Sequence, residues 1–161
     1  MKLDEAIKDV QDAESDLAKQ FRVIGERHAV EHDLYHLGHT LARQCADHLA
    51  RLAPLAQRYG APRAEMNAES PPVLEAVRHK SAELLGRSEM SGMLLLRDLR
   101  NLYLTAQYAE IAWTTLAQTA HAARDRELLQ TVKLCHEHTE AQAKWLRTRI
   151  KQSSPQVLAI G

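Results

Sequence analysis

Apolar residues recur at alternating intervals of four and three along most of the 161-residue chain, a spacing that places them on one face of an α-helix. Leu3, Ile7, Val10, Leu17, Phe21 and Ile24 form the first series, with acidic Glu14 standing at a core position within it. The phase slips beside Gly25, and a second series begins with Val30, Leu34, Leu37, Leu41, Cys45, His48, Leu52 and Leu55. Glu31 and Asp33 suit the first turn of a new helix, so a turn is expected between Gly25 and Asp33. The alternative is one unbroken helix from Leu3 to Arg58. Gly60 and Pro62 stop the second helix, and residues 60–71 read as loop. Ser70 as cap with Pro71 and Pro72 opens a short helix that carries Val73, Val77, Leu84 and Leu85 and ends at Gly86. The next long series is Leu95, Leu99, Leu102, Ala106, Ala109, Trp113, Leu116 and Ala120. Asp125 then caps a last one, Leu128, Val132, Cys135, Thr139, Gln142, Leu146 and Ile150, closed by Pro155. Helices are expected over roughly 2–27, 31–59, 72–86, 91–122 and 125–152, in a single helical-bundle domain spanning 1–161.

Short links make the first two long helices antiparallel, and likewise the last two; the long stretch between them reads as a crossover carrying a short helix. This all-α order of hairpin, crossover and hairpin resembles the ferritin-like four-helix bundle over nearly the whole chain. The stretches around Tyr35-His36-Leu37, Leu94-Leu95-Leu96-Arg97-Asp98-Leu99 and Ser154-Pro155-Gln156-Val157-Leu158 are also similar to bacterial proteins of that superfamily with no assigned activity. The resemblance implies a fold and leaves the function to be argued from sites.

Composition narrows the classes. The chain is 45% hydrophobic but only 4% aromatic, so Leu and Ala carry the packing. Twenty-one basic residues balance twenty-one acidic ones, which leaves no electrostatic footprint for nucleic acid or an anionic membrane. No apolar run is longer than that from Met93 to Leu96, far short of the roughly 20 residues of a membrane span. The charged opening Met-Lys-Leu-Asp-Glu is no secretory leader. Cys45 and Cys135 both fall on core faces and read as buried reduced thiols. A soluble cytoplasmic protein is expected.

The ferritin-like di-iron site takes one Glu from each of two helices and Glu-x-x-His from each of the other two. Three places after Glu14, Glu26, Glu31, Glu110, Glu137 and Glu140 stand Leu17, Ala29, Leu34, Trp113, Glu140 and Ala143, so the motif is absent. Asp33-x-x-His36 is the nearest substitute, and a ferroxidase or oxygenase of the usual pattern is not expected. Two other sets of ligands remain. Glu14, His48, Glu110 and His136 lie on or beside the core stripes, and antiparallel pairing sets Glu14 near the level of His48. That pair reads either as a buried hydrogen bond fixing helix register or as part of a reduced metal site. His32, His36 and His39 instead share an outer face at spacings of four and three, where two imidazoles can chelate Zn²⁺, Cu²⁺ or Ni²⁺. Tyr35, Glu31 or His28 would complete that shell, although no His-Glu-x-x-His string is present. A solvated or dimer-facing stripe, or pH-sensitive association, explains the same residues. His136 and His138 diverge on a helix and read as surface. No Gly-rich phosphate loop and no signal of Ser/His/Asp or Cys/His catalysis appears.

Two function classes follow. One is a non-catalytic bundle acting through protein contacts or self-association, as a homo-oligomer and most simply a dimer. The other is a bundle binding a divalent metal ion (Zn, Fe, Cu or Ni) through the histidine face or the core set.

Overall fold

The computed structural model describes residues 2–65, 71–84 and 88–160, and those residues contain helices and no strand. In chain order they are α1 (Leu3–Arg27), α2 (His32–Arg58), α3 (Pro71–Leu84), α4 (Ser88–Ala123), α5 (Arg126–Pro155) and a π-helical turn, Gln156–Ile160. The phase slip near Gly25 does mark a turn. The His28 amide still bonds back to Ile24 O at 3.0 Å, while Glu31 N bonds His28 O at 2.9 Å, closing a tight reversal before α2. Val30 lies in that reversal and is exposed, so it does not extend the core stripe of α2; Leu37 and Leu41 are half-buried. Gly60 follows the end of α2 at φ +72°, backbone that glycine adopts without a Cβ penalty.

Asp125 caps α5 by accepting from Leu128 N at 3.0 Å. Its other oxygen takes the Tyr59 hydroxyl at 2.5 Å, so one carboxylate ties the end of α2 to the α4–α5 turn. The Leu128 amide first, and the Tyr59 hydroxyl after it, hold the Asp125 carboxyl below its usual range. Two boundaries depart from the sequence reading. Helix α4 starts at Ser88, earlier than expected, and α5 runs through to Pro155 and continues into the π turn. Proline keeps a helical φ and removes a single amide donor, and the π turn follows immediately. The expected cap Ser70 and stop Gly86 lie outside the described residues.

The four long helices close a ring in which α1 neighbours α2 and α4, α5 neighbours the same two, and α3 lies against α1. Side-chain pairs give the directions. Gln20 meets Thr105 and Arg27 meets Asp98; Arg149 meets Asp33 and His48 meets His138. Both seams are therefore antiparallel, and α2 and α4 point the same way, which forces the chain between them to cross over along the ring. Inside lie Ile7, Leu17, Phe21, Leu52, Leu99, Trp113, Leu116 and Leu146, each fully buried. Along the 36 residues of α4, the face turned outward still carries the large apolar groups Leu104, Tyr108 and Ile111.

Helices α1 and α2 touch backbone to backbone at two glycines. A Cβ on Gly38 would stand 2.8 Å from Phe21 O and 3.4 Å from Gly25 Cα. A Cβ on Gly25 meets nothing nearer than 3.5 Å. Gly38→Ala is expected to lose about 1–3 kcal/mol from forced separation, outweighing the roughly 1 kcal/mol of helix propensity it gains. Gly25→Ala keeps the gain without the clash. Urea unfolding of the two variants measures the contrast, and equal midpoints would contradict the close approach.

Candidate functional site

The most deeply buried polar cluster centres on Glu14. Its position in the α1 stripe points the side chain into the ring, and each of the other three long helices supplies a donor. Trp113 of α4 donates from Nε1 to Oε1 at 2.6 Å. The Thr139 hydroxyl of α5 reaches the same oxygen at 3.3 Å. His48 Nδ1 of α2 stands 3.2 Å from Oε2. A carboxylate only accepts, so Nδ1 carries the proton, and a neutral His48 then offers Nε2 as an acceptor. His138 Nδ1 meets that atom at 3.0 Å, with the two rings stacked at 5.2 Å. Burial first, then His48 and Arg51, hold the His138 imidazole below its usual range, which keeps it a neutral donor. The expectation that His138 is plain surface is thus corrected: the ring is half-buried and extends the Glu14–His48 chain. Antiparallel register predicts the meeting of Glu14 and His48; Trp113 occupies an apolar core position, and its indole N–H is the polar atom that brings it to the same carboxylate.

Both cysteines are buried, free and close to this carboxylate. Desolvation chiefly, and the Glu14 charge secondarily, push the Cys45 thiol well up and the Cys135 thiol up to about 12. Burial therefore favours the protonated form of both thiols near neutral pH. A two-iron centre does not fit this core. Both oxygens of Glu14 are taken by donors, and the buried Glu26 and Asp98 are engaged elsewhere.

The histidine face does not converge. His32 and His36 are exposed. The Tyr35 ring lies edge-on to both His36 and His39 at 5.0 Å, and His39 turns to Glu26 Oε1 at 3.1 Å. Glu26 is buried, and Arg78 of α3 donates to its Oε2 from Nε at 3.0 Å and Nη2 at 2.8 Å. One third of the expected ligand set is therefore used to dock the crossover helix. A similar cluster joins α1 to α4, where buried Asp98 accepts from Arg27 at 2.8 Å and faces His28 Nε2 at 2.8 Å. Leu95, Asp98 and Leu102 fall at spacings of three and four on the core face, which is the signal of this buried acid in the sequence.

The remaining candidates, Glu110 and His136, do meet, apart from Glu14 and His48 and in company with Glu140. His136 Nε2 stands 3.9 Å from Glu110 Oε1 and 3.5 Å from Glu140 Oε1. Among the described residues this is the one group of three His, Cys, Asp or Glu side chains with ligand atoms all within 4.8 Å of one another. No helix among the described residues is long and apolar enough to cross a membrane. Comparison of the chain with protein-family models, curated proteins and solved structures yields no match.

Glu14→Ala strands the Trp113 indole and His48 donors, while Thr139 keeps the Cys135 carbonyl at 2.9 Å, and a loss of about 3–5 kcal/mol is expected in chemical denaturation. Glu14→Gln keeps the shape and one acceptor and should lose less. At Asp98, burial raises the carboxyl, but His28 and Arg27 outweigh it and hold it below its ordinary value. The folded state thus favours the charged form, and its stabilisation is present above the unfolded value of about 3.9. It is lost as pH falls through the lower folded value. Asp98→Asn should be less stable than the parent at neutral pH, with the gap narrowing as pH falls below the ordinary carboxylate range and toward the lower folded value. A stability gap independent of pH would contradict this assignment.

Proposed function

We propose that the protein is a non-catalytic, ferritin-like helical bundle that works by self-association, with two copies meeting through the outward face of α4. The observation that carries this reading is an apolar stripe opposite the core: Leu104, Tyr108 and Ile111, exposed by 58%, 54% and 64%. They recur at spacings of four and three, so they form one continuous ridge. Contiguous exposed apolar patches on a folded chain mark contact surfaces. A second copy is the favoured occupant because a ridge along one helix pairs with itself about a two-fold axis. Zero net formal charge leaves no overall repulsion between copies.

The ferritin-like part of the reading rests on the parallel α2 and α4 and the crossover between them, the order such bundles use. The non-catalytic part rests on how the polar core is used: the donors around Glu14, Glu26 and Asp98 serve contacts between helices. Two unpaired, buried thiols favour a reducing compartment such as the cytoplasm.

Sedimentation equilibrium tests the association. The expected mass is twice the 18.2 kDa of the chain, falling to a single chain in Leu104→Lys combined with Ile111→Lys, with helical circular dichroism retained. A parent that stays monomeric at about 0.1 mM, or a dimer indifferent to both lysines, would end this reading.

A further inference from the structure

We propose that Glu110, His136 and Glu140 form a site for one first-row divalent cation of the Zn²⁺, Fe²⁺ or Mn²⁺ class at the α4–α5 seam. His136 and Glu140 are four apart on α5 and project from the same side of successive turns. Glu110 faces them from α4. The His136 Nε2 atom is the point of convergence, with Glu110 Oε1 at 3.9 Å, Glu140 Oε1 at 3.5 Å and the Thr114 hydroxyl at 3.5 Å. None of these is the roughly 2.9 Å of a good hydrogen bond. Three ligands that share an ion at about 2.0–2.2 Å stand about 3.4 Å apart in tetrahedral geometry. The contacts are longer than good hydrogen bonds; the His136–Glu140 separation is close to ligand spacing, the His136–Glu110 separation is longer, and all three ligand atoms lie within 4.8 Å of one another, so small side-chain movements would bring them onto one ion.

The charges point the same way. Two carboxylates flank one imidazole, and the ion pairs that either makes among the described residues are with His136, not with a lysine or arginine. Neither carboxylate accepts a hydrogen bond from another described side chain, unlike Glu14, Glu26 and Asp98, each of which collects two or more donors. A cation would supply the missing positive charge. His136 and Glu110 are three-quarters covered, with side-chain exposures of 25% and 27%, while Glu140 is open at 55%. An ion entering past Glu140 would be partly shielded from water and would keep solvent in its remaining positions. One imidazole and two carboxylate oxygens form a set of borderline hardness, suited to Zn²⁺, Fe²⁺ and Mn²⁺ ahead of a soft ion such as Cu⁺. The inference is independent of the α4 ridge, because the seam with α5 and the outward stripe lie on different sides of that helix.

Isothermal titration of the full chain, purified without an affinity tag and stripped with chelator, uses ZnCl₂ and MnCl₂ as probes. One ion per chain is expected for at least one of them. Glu110→Gln and Glu140→Gln should each weaken binding by about tenfold or more, and His136→Ala should abolish it, with circular dichroism confirming the fold. If His136→Ala fails to fold, the exposed Glu140→Gln decides alone. His32→Ala combined with His36→Ala should leave the titration unchanged. Absence of binding by both ions, binding that survives Glu140→Gln unaltered, or loss in the His32 and His36 variant would each overturn the site.

Discussion

One carboxylate governs how the four long helices meet. Glu14 is wholly enclosed, and removing an acidic group from water costs several kcal/mol unless donors replace the lost hydration. Here the replacements come from three different helices, through His48, Trp113 and Thr139. The cluster therefore acts less as added stability than as a register pin. Sliding α1 by one turn along α2 would carry Glu14 away from His48, and the buried carboxylate would lose that donor. Leucine and alanine alone permit several near-equivalent packings of such helices; a buried polar cluster with directional bonds selects among them.

The same device recurs toward the opposite ends of the helices. Asp98 draws Arg27 and His28 from the end of α1, and Glu26 draws His39 from α2 and Arg78 from α3. These bonds hold the α1–α2 reversal and fasten the crossover to the ring. Glu110 and Glu140 differ from Asp98 and Glu26 in that, among the described residues, each pairs with His136 and with no lysine or arginine. The buried acids Glu14, Glu26 and Asp98 organise helices, while Glu110 and Glu140 share one imidazole, and that pair carries the chemical interest.

Much of the architecture was legible because helices write their burial into the sequence with a fixed period. The reversal near Gly25, the stop at Gly60 and the Asp125 cap each have a local cause, and each lies where that cause placed it. The Glu14–His48 meeting was legible for a related reason: two antiparallel helices with a short link have few registers that bring a core acid to a core imidazole. The histidine face was harder. His32, His36 and His39 share a helix face, yet shared spacing says nothing about what packs across it, and Arg78 arrives from a crossover helix that leaves no periodic trace on α2. His138 misled in the opposite direction, since flanking a core position on a helix is compatible with either solvent or a seam. Pro155 misled because proline's local effect, the loss of one donor, does not by itself unwind the turn that contains it.

By itself the sequence determined the all-helical class, the number and approximate length of the helices, the face each one buries, and the presence of a single acid in the first core stripe. Those properties depend on neighbours within one or two turns. Only tertiary structure decided that Trp113 and His138 join that acid, that His39 is given to Glu26, and that Glu110 comes to His136 and Glu140. Those meetings join residues 13 to 99 positions apart, brought together by the ring of helices and by the relative rotation of each about its axis. That rotation is set by side-chain packing across seams, which no periodicity within one helix encodes.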